Sequence, residues 1–498
     1  MAFYQNIPFF SIFLAMFAGT VSSVLKRKAA RIFNIIVISS IMIASAVLAV
    51  FLYREGISYT FMMGHFPAPW GNEIRAGVLE AGMALFFCVI MLLSMLGGHH
   101  KLDEEVEETK QNLYYVVVNL LLSSLLAMIY TNDLFTAYVF VEINTIAACG
   151  LIMIRQIGRT IEAAVRYMIM SLLGSGLFLV GLVVLYDLTG HLLMSNIREA
   201  VTSITANGEY TIPLLVSISL MSAGLAIKSA LFPFHAWLPD AYGYSTASSA
   251  AMLSSLVSKG YIFLLIKIYY RVIGIDLIRS YRLTDVLFIF GLAGMIFGSL
   301  SAIKENDIRR MIAYSSVAQI GYIYMGIGMG TQAAMLASVY HILMHGATKS
   351  LLFIAAIGLT DVSGYSRQFI QITGAGYRNK IAGIGFTVGA LSMVGFPGFS
   401  GFISKLLFAQ AALQNNTGKM LSALIVLGIS TILNAIYFMK TVIRIYTPVK
   451  DSEYPVRPLK EQKLYATVIV AFVICNLFLG LASVFIEEWI QKGLAIFG

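Results

Sequence analysis

Hydrophobic runs of roughly 20 residues, each closed by a short polar connection, recur along the whole chain and predict about fourteen membrane-crossing helices. They fall near 8–25, 32–53, 78–97, 112–131, 134–154, 166–188, 212–238, 250–271, 285–303, 311–329, 332–357, 381–413, 420–445 and 464–487. No run shows the short two-residue alternation of an outer-membrane barrel. The expected fold class is an all-α polytopic membrane protein. The first run has no basic residue before it and "KRK" after it, the reverse of a secretory signal, so residues 8–25 are expected to be a retained helix.

Two of the longer runs, the seventh and the twelfth, are interrupted. Of ten prolines, seven lie at or near termini, helix starts or loops (Pro8, Pro67, Pro69, Pro213, Pro448, Pro455 and Pro458). Pro233 and Pro239 fall inside run seven, "KSALFPFHAWLPDAY", and Pro397 inside run twelve, "GFPGFSGFISK". A proline inside a helix removes a backbone hydrogen bond at a cost of about 3 kcal/mol. In a membrane, backbone freed in this way is tolerated where it is buried in protein or lines a wet cavity. Each interrupted run also carries a lysine, Lys228 or Lys405, within two or three turns of the break. The two lie five helices apart, which suits two inverted five-helix repeats and marks an ion route. Two unrelated kinks are the alternative.

The implied organisation is three helices over 1–111, a first repeat over 112–271, a second over 285–445, and a loop with the last helix over 446–498. Composition agrees with the class: among 498 residues, 58% are hydrophobic and 12% charged, and the mean hydropathy is +0.82. The net charge of +9 does not point to nucleic acid, because the basic residues gather in alternate connections. Examples are Lys26, Arg27, Lys28 and Arg31; Arg155, Arg159 and Arg166; Lys304, Arg309 and Arg310; and Lys450, Arg457, Lys460 and Lys463. If these face the cytoplasm, both termini lie outside. The acidic connection "HHKLDEEVEETKQ" departs from that pattern, and Arg271, Arg279 and Arg282 fall on the outer side. Cys88, Cys149 and Cys475 are far apart with no Cys-x-x-Cys pair, so neither an iron–sulfur centre nor a disulfide is expected.

A row of ionisable residues falls at mid-depth: Glu142, Lys228, Lys259 and Lys405, with His341, His345 and Lys349 on one helical face at i, i+4 and i+8. A charge at the centre of a membrane helix costs about 2.5–3.5 kcal/mol on insertion scales, and such groups mark ion routes by default. Burial favours a neutral lysine and an adjacent carboxylate favours a charged one, so a Glu–Lys pair whose spacing changes is a proton switch. Against this, Lys267 and Lys440 near helix ends are expected to snorkel. His65, His99, His100 and His191 read as structural or exposed, and Glu162–Arg166 as a structural i, i+4 pair. His235 and Asp240 are weaker candidates, able to fix a loop rather than carry ions.

The segments "KSALFPFHAWLPDAY", "FVEINTIAACGLIMI" and "YHILMHGATKSLLFIAAI" resemble the proton-translocating antiporter family. That family includes the A-type and D-type chains of Mrp-type cation/proton antiporters, the large membrane subunits of respiratory complex I, and subunits of membrane-bound hydrogenases. The resemblance implies fourteen helices, two inverted five-helix repeats and a hydrated polar axis at mid-membrane. It makes Glu142 the partner of Lys228, Lys259 the connecting residue, His341, His345 and Lys349 the eleventh-helix group, and Lys405 the terminal lysine. One departure is "YGYSTASSAAML", where many relatives have "APTP"-like sequence. Another is the short stretch after the last helix, unlike the lateral helix of the largest complex I subunit.

The functional expectation is a proton-translocating subunit, with Na+ as a possible coupling ion, in the cytoplasmic membrane of a prokaryote. It would work with other membrane subunits of an antiporter, hydrogenase or dehydrogenase complex. No cofactor, metal site, redox centre or hydrolytic centre is expected in this chain. Alternatives are a stand-alone solute transporter and a structural anchor for a redox partner.

Overall fold

Hydrocarbon offers backbone N–H and C=O groups no water, so apolar runs of this length satisfy their hydrogen bonds internally as helices. The computed structural model describes residues 2–63, 66, 71–414, 418–449 and 454–497. His65, Pro67, Pro69 and Lys450 lie outside the described residues. The principal helices are α1 (Ala2–Val24), α2 (Arg27–Glu55), α3 (Val78–Gly97), α4 (Gln111–Tyr130), α5 (Leu134–Met153), α6 (Gly158–Thr189) and α7 (Thr211–Lys228). They continue with α8 (Ala247–Ile273), α9 (Leu283–Lys304), α10 (Ile308–Met329) and α11 (Gln332–Asp361). The last are α12 (Lys380–Val394), α13 (Ser400–Gln414), α14 (Lys419–Ile445), α15 (Lys463–Leu481) and α16 (Ser483–Ala495). Among the described residues, 12 helices are long and apolar enough to cross a membrane. The remaining two expected spans are α10, whose first turn holds Arg309 and Arg310, and the divided pair α12–α13.

Burial separates centre from rim. The apolar windows of α8 and α11 are 100% buried, whereas those of α2 and α14 are 33% buried. The two central helices therefore carry Lys259 and the His341–His345–Lys349 group away from lipid. The tightest pairings are α6 on α7 and α9 on α10. In the second pair, a Cβ placed on Gly321 would lie 2.6 Å from the carbonyl oxygen of Gly291, so the small residues set the approach of the helices.

Run seven is not one helix. α7 ends at Lys228, residues 229–237 turn, and a short helix follows over Leu238–Tyr244. Pro239 occupies an early position of that helix, where its missing N–H costs nothing. It starts the second half rather than breaking the first. Run twelve divides between α12 and α13, with Pro397 in the turn. Pro8 lies within α1.

Some features escape the hydrophobic pattern. The connection after α2 contains an antiparallel pair, Tyr59–Met62 with Glu73–Ala76, in register Tyr59 to Ala76. The connection after α6 forms the helix Met194–Asn207, which seats Met194, Ile197 and Val201 inward.

Candidate ion pathway

Lys228 is the last residue of α7, so its cation stands where unpaired carbonyls concentrate negative potential. Its side chain is fully buried. The Nζ donates to Thr145 Oγ1 at 2.7 Å and lies 3.8 Å from Glu142 Oε1. Both partners come from α5, three residues apart and hence on one face. The Lys228 Nζ also sits 5.4 Å from the centre of the Tyr261 ring on α8, and the Tyr261 hydroxyl is 3.3 Å from Thr145 Oγ1. The Glu142 side chain retains 26% exposure, but its Oε1, the oxygen nearest Lys228, is buried without a hydrogen bond among the described residues. Ala230, at φ 61°, turns the backbone just beyond the lysine.

Lys259 is wholly buried on α8, the helix that also brings Tyr261 to that pair. Its Nζ donates to the Ser254 carbonyl at 2.5 Å and to Ser258 Oγ at 3.0 Å. The preceding residues Leu253–Val257 form a π-helical turn, which leaves carbonyls free to accept such a bond. On α11, Lys349 Nζ donates to the Ile312 carbonyl at 2.9 Å and also to Ser315 Oγ. His345 lies between Lys349 and His341 with neither ring nitrogen hydrogen-bonded among the described residues. His341 Nδ1 is 2.7 Å from Ser404 Oγ on α13, and its ring stacks on Tyr322 at 5.3 Å between centroids.

Lys405, on α13, reaches back across the second break. Its Nζ donates to the Val394 carbonyl, the last of α12, at 2.6 Å and lies 6.0 Å from the centre of the Tyr322 ring. The structure thus sets Lys228, Lys259, His345, Lys349, His341 and Lys405, all buried, in a row across α7, α8, α11 and α13, with the partly exposed Glu142 of α5 beside Lys228. Residue type alone did not disclose the hydroxyls that contact it (Thr145, Tyr261, Ser258, Ser315 and Ser404) or the Tyr322 ring beside His341 and Lys405, because serine, threonine and tyrosine occur throughout the helices.

Other candidates separate from the row. Asp240 pairs with Arg166 at 2.9 Å and with Arg310, which also holds Glu305 at 3.1 Å. Glu162 and Arg166 form the expected pair at 2.6 Å. These contacts tie the basic connections to one another at one face. His235 is partly exposed, stacked on Phe232 at 5.3 Å, with Nδ1 unpartnered among the described residues. His99 contacts Arg31, and burial together with that cation holds its imidazole below the ordinary value, as a structural histidine.

Two expectations fail. Lys267 does not snorkel: it is fully buried, donating to the Met128, Ile129 and Thr131 carbonyls at 3.0, 2.5 and 2.8 Å. Arg271 is no surface charge either, since it is buried against Glu80 and donates to the Phe497 carbonyl at 2.6 Å.

Residues 131–431 match a family described as NADH:quinone oxidoreductase/Mrp antiporter, transmembrane. The chain is 29% identical over 498 residues to NADH-quinone oxidoreductase subunit N of Desulforudis audaxviator, covering 98% of this chain and 97% of that one. It is 26% identical over 411 residues to the D-type chain of a Na(+)/H(+) antiporter from Alkalihalophilus pseudofirmus, covering 81% and 79% respectively. Among solved structures, a chain of the Mrp complex from Dietzia sp. DQ12-45-1b superposes with a TM-score of 0.87 at 22% identity, over 99% of this chain and 97% of that one. A chain of the membrane-bound sulfane sulfur reductase, an archaeal respiratory membrane complex, superposes with a TM-score of 0.86 at 26% identity, over 100% and 97%.

Proposed function

Because the chain belongs to the NADH:quinone oxidoreductase/Mrp antiporter transmembrane family, we propose that it is an ion-translocating membrane subunit of a larger complex, carrying protons along its buried row. The observation that carries this reading is Lys228, fully buried at the end of a divided helix with Glu142 at 3.8 Å. A carboxylate at that distance holds the ammonium charged, and widening the gap favours release of its proton to the interior. The proton then moves by way of Lys259 and the His345–Lys349–His341 group to Lys405. Lysines, histidines, hydroxyls and a single carboxylate suit protons better than a hard cation, which takes clustered oxygen ligands.

The same reading makes α4–α8 and α9–α14 two inverted repeats within a fourteen-span fold. In each set the third helix packs on a divided fourth one, α6 on α7 and α11 on α12 and α13. It places the chain in the cytoplasmic membrane with the basic connections inside and both termini outside. The driver is a partner: a cation gradient in an antiporter complex, or electron transfer in a respiratory one. Lys228→Ala, introduced into the purified assembled complex in proteoliposomes, is expected to abolish proton movement. Normal transport by that variant would sink the reading.

A further inference from the structure

The turn that divides run seven reaches the surface of the chain. Pro233 and Ala236 are exposed, and Phe232, Phe234 and His235 are partly so. Phe232 stacks on Phe297 of α9 at 5.0 Å between centroids, and the short helix after the turn packs on α6. The turn thus floors a groove with α6 on one side and α9 on the other. On α9, Phe297, Leu300 and Lys304 share one face at i, i+3 and i+7; on α6, Arg159, Arg166, Ile169 and Leu173 do the same. The four apolar members of these stripes are exposed, and each stripe ends on cations at the face of the basic connections.

Arg159 and Lys304 line one cleft there, with a volume of about 530 Å3, ample for a glycerophosphate headgroup. Tyr244, the last residue of the short helix, also lines it. The guanidiniums of Arg159, Arg310 and Arg367 lie 5.5, 5.7 and 5.4 Å from the centre of its ring. Two of these cations are already balanced: Arg310 by Glu305 at 3.1 Å and by Asp240, and Arg367 by Asp307 at 3.2 Å. Arg159 and Lys304 pair with no carboxylate among the described residues, and both are exposed. Two like charges facing one cleft repel, and an anion between them reverses the sign of that interaction.

We propose that this groove seats one anionic phospholipid, its phosphate between Arg159 and Lys304 and an acyl chain along Phe232, Pro233 and Ala236. Basic pockets between membrane helices favour anionic headgroups, and here the cations continue directly into exposed apolar walls. That combination suits an amphiphile: a free phosphate uses only the cations, and hydrocarbon alone uses only the walls. Bound there, the phosphate holds Arg159 against the Tyr244 ring and braces the half-helix that begins at Leu238. The lipid also covers the residues that the break leaves exposed. Its binding does not depend on the transport reading.

Native mass spectrometry of the assembled complex, released from nanodiscs of phosphatidylcholine and phosphatidylglycerol, counts the lipids that it retains and shows that it is intact. The unaltered complex is expected to hold phosphatidylglycerol at least about fivefold more tightly than an Arg159→Gln/Lys304→Gln variant. That variant removes two exposed charges and leaves every ion pair in place. As a control, Lys26→Gln/Lys28→Gln removes two exposed lysines of another basic connection and should weaken binding less than about twofold. Equal losses in the two variants would reduce the effect to general surface charge, and no loss would leave the groove to a protein partner or to nothing; either result overturns the site. Millimolar inorganic phosphate should displace little of the lipid, because it gains no hold on the apolar walls. Complete displacement would make this a free-anion site and overturn the lipid assignment.

Discussion

The two divided helices place a lysine at a helix end in different ways. Lys228 is the final residue of its own half-helix, with Thr145 at 2.7 Å and the Glu142 carboxylate at 3.8 Å. Lys405 belongs to the half-helix after its break and reaches back to the terminal carbonyl of α12 at 2.6 Å, with a Tyr322 ring nearby and no carboxylate paired with it among the described residues. The first lysine thus has a partner that can move on its own side chain. The second is held by backbone, whose geometry is fixed by the turn. The difference suggests a division of labour in which the first site is switched and the second receives what the row delivers.

That contrast can be broken most severely at the receiving end. Lys405→Ala removes the cation that stands at the second break, and proton movement is expected to fall at least about fiftyfold, equivalent to some 2.3 kcal/mol in barrier. Flux measured in proteoliposomes checks this, and flux near that of the unaltered complex would show that the row does not end there. Glu142→Gln instead makes the first site resemble the second, keeping shape but removing the charge. The expected loss is about tenfold, or 1.4 kcal/mol, and a loss as complete as that of Lys228→Ala would mean that the carboxylate itself carries the proton.

A smaller change tests whether the turn positions Lys405. Gly395 has φ 91°, and a Cβ there would lie 2.9 Å from Lys405 Cδ; Gly398 has φ 92° with nothing within 4 Å. Alanine at either position meets backbone strain of about 1–2 kcal/mol, but at Gly395 it also displaces the lysine. Gly395→Ala should therefore reduce transport about threefold to fivefold and more than Gly398→Ala does, a ratio that cancels the shared strain. Equal losses would show that strain alone is being measured.

Much of this was legible beforehand, for definable reasons. Runs such as 332–357 announce spans because hydrocarbon demands them, and Pro397 between glycines announces a break because no helix tolerates that sequence. Charges at Glu142, Lys228 and Lys259 stand out since they are rare at such depth. What escaped was anything depending on contact between distant residues. Thr145 and Ser315 look like ordinary membrane serines and threonines until the structure puts a lysine beside each. The strands Tyr59–Met62 and Glu73–Ala76 have four residues each and a long connection, too little for alternation to register. Lys267 misled because closeness to a predicted helix end implies exposure only when the end faces water, whereas Tyr269, Val272 and Ile273 beyond it are buried as well.

Lys267 also supplies the mildest test of the comparison. Like Lys405 it is buried and bonded to backbone carbonyls, here at the end of α4, but it stands outside the row and at no helix break. If place in the row confers function, burial alone should not. Lys267→Met keeps the aliphatic stem and removes three charge-assisted hydrogen bonds, leaving the last carbonyls of α4 unsatisfied at a cost of about 2–4 kcal/mol. The assembled complex should dissociate at a lower temperature, while proton movement per intact complex stays within about twofold, less than about 0.5 kcal/mol in barrier. Transport lost in parallel with Lys405→Ala at unchanged thermal stability would put Lys267 in the route, and the divided helices would no longer distinguish working lysines from structural ones.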